Sequence, residues 1–113
     1  RSLLRFLLDA KDAGQCVVGY GAAAKGNTLL NYAGVSTDLV LFVADKSPHK
    51  QGKFLPGSRI PVVSPARLAN TGPDVVLILP WNIRAEIESD LRDAGVMGTP
   101  SVCAVPRLQY GRI

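Results

Sequence analysis

The chain has 113 residues, which is enough for one compact domain and too few for a catalytic domain and a substrate domain side by side. Its composition, 47% hydrophobic and 19% charged with a net charge of +4, excludes a disordered tail and gives no indication of nucleic acid binding. The sequence contains neither the roughly 20 apolar residues of a membrane span nor a signal peptide, so we expect a cytoplasmic protein that contacts no membrane.

The first predicted element is a helix over residues 1–13, where apolar side chains recur at helical spacing until Gly14. This amphipathic pattern is already under way at Arg1, and the chain does not begin with methionine. We therefore expect the chain to be a fragment of a longer polypeptide.

The remaining elements alternate between strand and helix. Residues 15–20 predict a first strand, which a glycine-bearing turn, GAAAKG, joins to a helix over residues 27–33. Further strands are predicted at 39–44, 60–63, 74–79 and 101–105, and further helices at 64–69 and 82–94. A basic loop, KSPHKQGKFLPGSR, separates the second strand from the third.

Continuous apolar strands joined by helical crossovers predict an α/β fold: a Rossmann-like, doubly wound parallel sheet of about five strands in the order 3-2-1-4-5. We expect residues 1–113 to form this single domain. Cys16 and Cys103 lie inside strand-like runs and lack metal-ligand spacing, so we interpret them as reduced core residues.

The strongest candidate site is the turn after the first strand, Gly19-Tyr20-Gly21-Ala22-Ala23-Ala24-Lys25-Gly26. Glycines there permit close backbone approach, and the amides at a helix start favour a phosphate. Ala24 takes the third-glycine position of a dinucleotide fingerprint, and Asp45 lies near its ribose-reading position. Packing alone explains many such turns, and Lys25 fits a phosphate contact and a solvated side chain equally well.

The basic loop is a second candidate site, because it follows the second strand at the edge where such sheets bind ligands. Its charged residues are Asp45, Lys46, His49, Lys50, Lys53 and Arg59. A diphosphate suits this set, and a mobile, solvated loop explains it equally well. His49 is the chain's one histidine, and polar surface is a simpler interpretation of it than a proton carrier.

A third candidate site is Pro80-Trp81-Asn82, with Glu86, at the end of the fourth strand. The Trp81 indole is suited to stack on a base or a sugar, and Asn82 and Glu86 are suited to bond hydroxyls. The alternative is structural: Trp81 fills the junction of strand and helix, Asn82 caps the helix, and Glu86 interacts with the helix dipole.

Three segments, GYGAAAKGNTLLNYAGV, FVADKSPHKQGKFLPGSRIPV and PDVVLILPWNIRAEI, occur in an order that resembles the C-terminal domain of sugar C-methyltransferases. The resemblance extends from about residue 15 to residue 87. It implies a domain that closes over an NDP-4-keto-deoxysugar while a ring carbon of that sugar is methylated. The implied chemistry is deprotonation beside the C4 ketone, followed by attack of the enolate on the methyl group of SAM.

By the same resemblance, a cysteine-ligated zinc segment and a SAM-binding domain belong to the parent enzyme and lie outside this sequence. No catalytic residue and no cofactor is therefore assigned here, and we expect the fragment alone to be inactive. Binding of the sugar nucleotide, or contact with the SAM domain, is implied for Tyr20, Gly21, Lys25, Asn27, His49, Lys50, Trp81 and Asn82. Ala22, Gly26 and Asp45, from the turn and the loop, complete the predicted site.

Two other functions fit the residues. One is a free-standing NAD(P)- or CoA-binding module that uses the same glycine turn and Asp45. The other is a structural domain that supports a neighbour and binds no ligand. Titration with NADH and with dTDP separates the three hypotheses, because each predicts a different stabilising ligand, or none.

Overall fold

The secondary structure is that of a computed structural model, which describes residues 2–22, 24–80, 83–103 and 109–113, with the backbone alone at 24, 25 and 109. The helices are α1 (Ser2–Asp12), α2 (Ala24–Ala33), α3 (Ala66–Thr71) and α4 (Arg84–Asp93). The strands are β1 (Val17–Tyr20), β2 (Val43–Ala44), β3 (Val62–Val63), β4 (Val75–Ile78), β5 (Pro100–Cys103) and β6 (Gln109–Arg112). Within these described ranges, no helix is long and apolar enough to cross a membrane.

The strands form one sheet in the order β3-β2-β1-β4-β5-β6. Pairing is parallel from β3 through to β5, and β6 runs antiparallel to β5. In the middle of the sheet, Gly19 of β1 lies between Val43 of β2 and Leu77 of β4. The predicted order 3-2-1-4-5 and the Rossmann-like α/β class are confirmed, and β6 adds a sixth strand at one edge.

Both faces of the sheet are covered by helices. On one face, Leu3 and Leu7 of α1 and Leu30 of α2 belong to a core cluster with Val17 and Leu77. On the other face, α3 and α4 pack against alternate strand residues, and this second core contains Val18, Val76, Ile78, Leu68, Ile87 and Leu91. Because the side chains of the central strands β1 and β4 are buried on both faces, these two strands are apolar without alternation.

Helix ends follow the predicted local signals. In α1 the buried residues Leu3, Leu7 and Ala10 recur at helical spacing, which explains why this segment packs along one face. The α3 helix ends at Gly72, whose backbone is left-handed (φ +61°) and whose amide donates to the Leu68 carbonyl. The Ser64 hydroxyl accepts a hydrogen bond from the Ala66 amide (3.3 Å) at the start of α3.

The second strand is shorter than predicted because the chain first makes a turn after α2. The amides of Leu39 and Val40 both donate to the Ser36 carbonyl, so residues 39 and 40 enter the core from a turn. Pairing with β1 starts only afterwards, where Leu41 donates to Val17 and Gly19 donates to the Phe42 carbonyl. Apolar composition predicted that most of this run is buried, although Leu41 is 48% exposed. It did not predict the hydrogen-bond partners of the backbone amides in this run.

Candidate functional site

The carboxyl ends of β1 and β4 flank a crevice where the winding of the sheet reverses. From β1 the chain continues to β2 on one side, and from β4 it continues to β5 on the other side. Open α/β sheets bind ligands at such switch points. A cavity of about 230 Å³ opens here beside α4, and we call it the α4 cavity. Its lining residues are Tyr20, Gly21, Asp45, Lys46, Lys50, Pro80, Ile83, Glu86, Ile87 and Asp90.

The glycines of the turn after β1 allow close packing against the end of β4. Gly21 has a φ of +93°, and a Cβ atom there would clash with Cδ of Pro80. At Gly26, in the first turn of α2, a Cβ atom would lie 2.7 Å from Cβ of Leu79. Both contacts are closer than real side chains tolerate, so packing requires glycine at these positions whether or not a ligand binds.

Asp45 holds the turn from the far side of the crevice. Its Oδ2 accepts a hydrogen bond from the Ala22 amide (2.8 Å), and its Oδ1 accepts one from the Ser47 amide (2.8 Å). The ammonium of Lys50 lies 3.9 Å from the same carboxylate, which is 13% exposed. A carboxylate close to the start of α2 gains from the positive end of the helix dipole.

This contact changes how the glycine turn is interpreted. The Ala22 amide is one of the donors that the turn was predicted to offer to a phosphate, and it is already bonded to Asp45. Asp45, predicted near a ribose-reading position, uses both oxygens on backbone amides. An anion placed at this amide would have to displace a carboxylate of the protein itself.

The basic segment after β2 forms a hydrogen-bonded hairpin, which we define as residues 52–62. The Gly52 amide donates to the Val62 carbonyl (2.9 Å), and the Val62 amide donates to the Lys53 carbonyl (2.8 Å). Closer to the tip, the Leu55 amide donates to the Ile60 carbonyl (2.8 Å). These bonds also explain why the predicted strand at 60–63 pairs within the sheet only at Val62–Val63.

A second cavity, of about 280 Å³, lies against this hairpin, and we call it the hairpin cavity. It is lined by Ala22, His49, Lys50, Lys53, Phe54, Leu55, Pro56 and Val62. Its titratable lining groups are therefore one imidazole and two ammonium groups, set among apolar side chains. Lys50 lines both cavities, so the two sites are neighbours along the same edge of the sheet.

The α4 cavity has a different chemistry, with a phenol and several carboxylates. Lys46 crosses its rim and donates to Asp90 (3.2 Å), and this hydrogen bond raises the pKa of the Lys46 ammonium. Burial, and then the charge of Asp90, raises the pKa of the Tyr20 phenol. Near neutral pH Tyr20 therefore presents a hydroxyl and Lys46 a cation, and both groups are suited to a polar ligand rich in hydroxyls.

Some of the predicted site residues line these two cavities, and others are buried or half-buried and line neither cavity. Tyr20, Gly21, Asp45 and Lys50 line the α4 cavity, while Ala22, His49 and Lys50 line the hairpin cavity. Gly26 packs on Leu79, and Oδ1 of Asn27 is buried without a hydrogen-bond partner among the described residues. Trp81, Asn82 and the side chain of Lys25 lie outside the described residues.

Sequence reasoning missed several lining residues, among them Phe54, Ile83 and Asp90. Phe54 had a usable signal, since it is an aromatic residue within the basic loop. Ile83 is an apolar residue just before α4, yet it is 42% exposed and lines the α4 cavity. Asp90 had no local signal, because its contact with Lys46 spans 44 residues.

The two cysteines do not form a metal site. Among the described residues, no group of three or more His, Cys, Asp or Glu side chains is arranged to hold a metal ion. Cys103 is buried in β5, and Cys16 is half-buried just before β1, both as free thiols. Burial raises the pKa of each thiol, so neither is a thiolate near neutral pH.

Comparison with known proteins gives two findings. The model of one protein family, described as the C-methyltransferase C-terminal domain, matches residues 1–106. The chain is also similar to C-methyltransferase NovU of Streptomyces niveus, with 47% identity over 74 residues. That alignment covers 66% of this chain and 18% of NovU, so the chain spans only a small part of the length of this relative.

Proposed function

Since this chain belongs to the C-methyltransferase C-terminal domain family, we propose that it binds the nucleotide-linked sugar of a SAM-dependent C-methyltransferase. In this proposal the sugar is an NDP-4-keto-deoxysugar, and a SAM-binding domain of the same polypeptide carries out the methylation. SAM and zinc are assigned to segments outside these 113 residues. The family membership confirms the resemblance carried by the three sequence segments, and the substrate is the proposed part.

One observation carries the proposal: two cavities of different chemistry meet at Lys50. The hairpin cavity offers His49, Lys50 and Lys53, which suit the two negative charges of a diphosphate. The α4 cavity offers the Tyr20 hydroxyl and carboxylates such as Glu86, which suit the hydroxyl groups of a sugar. A sugar nucleotide joins these two kinds of group within one molecule.

The proposal places the diphosphate on side chains of the hairpin cavity and not on the Ala22 amide. That amide is already bonded to Asp45, whereas the side chains of Lys53 and His49 are exposed at the cavity. Lys25, Asn27, Trp81 and Asn82 remain proposed contacts with the sugar nucleotide or with the SAM domain.

The contribution of such a domain to catalysis is positioning. An enolate attacks a methyl group efficiently only if the two reacting carbons are held close together and aligned. Binding the diphosphate and nucleoside, which do not react, fixes the pose of the sugar that does react. We assign no catalytic residue to this chain and expect no methyl transfer by it alone.

Calorimetric titration of the chain with dTDP, and separately with NADH, tests the proposal. We expect dTDP to bind, and we expect Lys53→Met to weaken its affinity about tenfold because one charged contact to phosphate is lost. Lys11→Met is the matched control, since Lys11 is an exposed lysine on α1 that faces Asp38 and neither cavity. Its dTDP affinity should equal that of the unaltered chain.

The competing functions give different results in the same titration. Tighter binding of NADH than of dTDP would identify a dinucleotide module. If neither compound binds and neither raises the melting temperature, the chain is a supporting domain and the proposal is wrong.

A further inference from the structure

Phe54 is a large apolar side chain that remains exposed to solvent in the folded chain. It is 60% exposed, whereas its neighbour Leu55 is 5% exposed and belongs to the core on the α1 and α2 face. The hairpin explains this difference, because Phe54 forms an antiparallel bridge opposite Pro61 while Leu55 pairs with Ile60. The backbone thus holds the phenyl ring at the surface of the hairpin, where it forms part of the wall of the hairpin cavity.

A guanidinium group accompanies this ring. The Arg59 guanidinium carbon lies 5.8 Å from the centroid of the Phe54 ring, within the range of a cation–π contact. Arg59 itself has a left-handed backbone (φ +60°), and its amide donates to the Leu55 carbonyl (2.9 Å). The tip of the hairpin therefore presents an aromatic face together with a planar cation.

We infer that Phe54 is the stacking platform for the nucleobase of the bound nucleotide, beside the cations that hold its diphosphate. This inference rests on the proposed function and adds the orientation of the ligand. The base lies on the hairpin, the diphosphate lies at Lys53 and Lys50, and the sugar points towards the α4 cavity.

The neighbouring groups favour a nucleobase as the occupant. Lys53 and Phe54 are adjacent in the sequence and line the same cavity, so a phosphate-binding cation and an aromatic face lie side by side. Nucleic acid bases are bound by stacking on aromatic and guanidinium planes. A free phosphate has no ring that would use the exposed face of Phe54.

Calorimetric titrations with dTDP and with inorganic pyrophosphate test the inference, since pyrophosphate keeps the charges and lacks the base. We expect Phe54→Ala to weaken dTDP binding about tenfold and to leave pyrophosphate binding unchanged. Phe54→Tyr, which retains the ring, should bind dTDP as the unaltered chain does. Tyr32→Ala is the control, because Tyr32 is an exposed aromatic residue (89%) that lines neither cavity.

The possible results separate the two proposals. If Phe54→Ala weakens dTDP and pyrophosphate binding equally, the ring only shapes the hairpin, and the inference is wrong. If Phe54→Ala binds dTDP normally, the ring faces something other than the base, such as a neighbouring domain, and the inference fails while the proposed function stands. If dTDP does not bind the unaltered chain, the proposed function fails and this inference fails with it.

Discussion

Gly21 and Gly26 bring the backbone of the turn and of α2 against the end of β4. Without a Cβ atom, Gly21 packs on the Pro80 ring and Gly26 packs on the Leu79 side chain. At Gly21 the positive φ adds a second requirement for glycine. These two residues determine how narrow the crevice is, and hence how close Tyr20 and Asp45 come to α4.

Gly21→Ala should lower the free energy of unfolding by about 3 kcal/mol, because left-handed backbone strain adds to a steric clash with Pro80. Gly14→Ala is the matched control: Gly14 also has a positive φ (+74°), but a Cβ atom there meets nothing within 4 Å. It should cost only about 1 kcal/mol. Urea denaturation of the two variants checks the difference, and equal losses would show that the contact with Pro80 is unimportant.

The α4 helix is attached to the sheet by a polar network as well as by its apolar face. The hydroxyl of Ser101, a fully buried residue of β5, donates to Glu88 (2.8 Å) and accepts from Nη2 of Arg84 (3.1 Å). Arg84 also donates to Glu88 through Nε (3.2 Å). This network fixes the rotation of α4 on β5, which directs Glu86 and Asp90 to the α4 cavity.

Glu88→Ala should destabilise the chain by about 2 kcal/mol, since it removes the acceptor of the buried Ser101 hydroxyl. Ser89→Ala changes an exposed residue of the same helix, and its effect should stay within about 0.5 kcal/mol. Thermal unfolding followed by circular dichroism measures both variants. A loss no larger for Glu88→Ala than for Ser89→Ala would mean that apolar packing alone holds α4.

At the scale of the whole molecule, the antiparallel strand β6 forms the edge of the sheet next to β5. β6 pairs with all four residues of β5, from Pro100 to Cys103. Just beyond β6, Ile113 is 6% exposed and joins the core on the α3 and α4 face. This strand covers an edge of β5 that would otherwise present unpaired backbone groups.

Stability of the whole molecule should fall at alkaline pH. Burial raises the pKa of Cys16, of Cys103 and of the Tyr20 phenol, so the folded chain holds these protons more tightly than the unfolded chain does. Their contribution is complete below the unfolded pKa values, about 8.5 for Cys and about 10 for Tyr, and is lost as pH rises through the higher folded values.

Melting temperatures measured between pH 7 and pH 11 check this expectation. The curve should be flat to about pH 8 and should then decline. In the double variant Cys16→Ala, Cys103→Ala the decline between about pH 8.5 and 10 should be shallower, because both thiols are gone. An identical slope for the variant and the unaltered chain would exclude the thiols as its cause.

Much of the fold could be predicted from local patterns in the sequence. Apolar runs such as those around Val17 and Val75 predicted strands covered on both faces, and the alternation of strand and helix predicted the order 3-2-1-4-5. Gly72 ends its helix as predicted. Burial and helical periodicity are properties of a few neighbouring residues, and for this reason the sequence alone reveals them.

The candidate site depended on contacts between distant parts of the chain. Asp45 bonds the amide of Ala22 across 23 residues, and the pairing of Lys46 with Asp90 spans 44 residues. The sequence by itself determined the strand order, the candidate ligand edge and the family resemblance. Only the tertiary structure decided that Asp45 occupies the Ala22 amide and that the basic segment folds into a hairpin displaying Phe54. Packing decides which polar groups come within hydrogen-bond distance of one another, and no local pattern of residues encodes these long-range contacts.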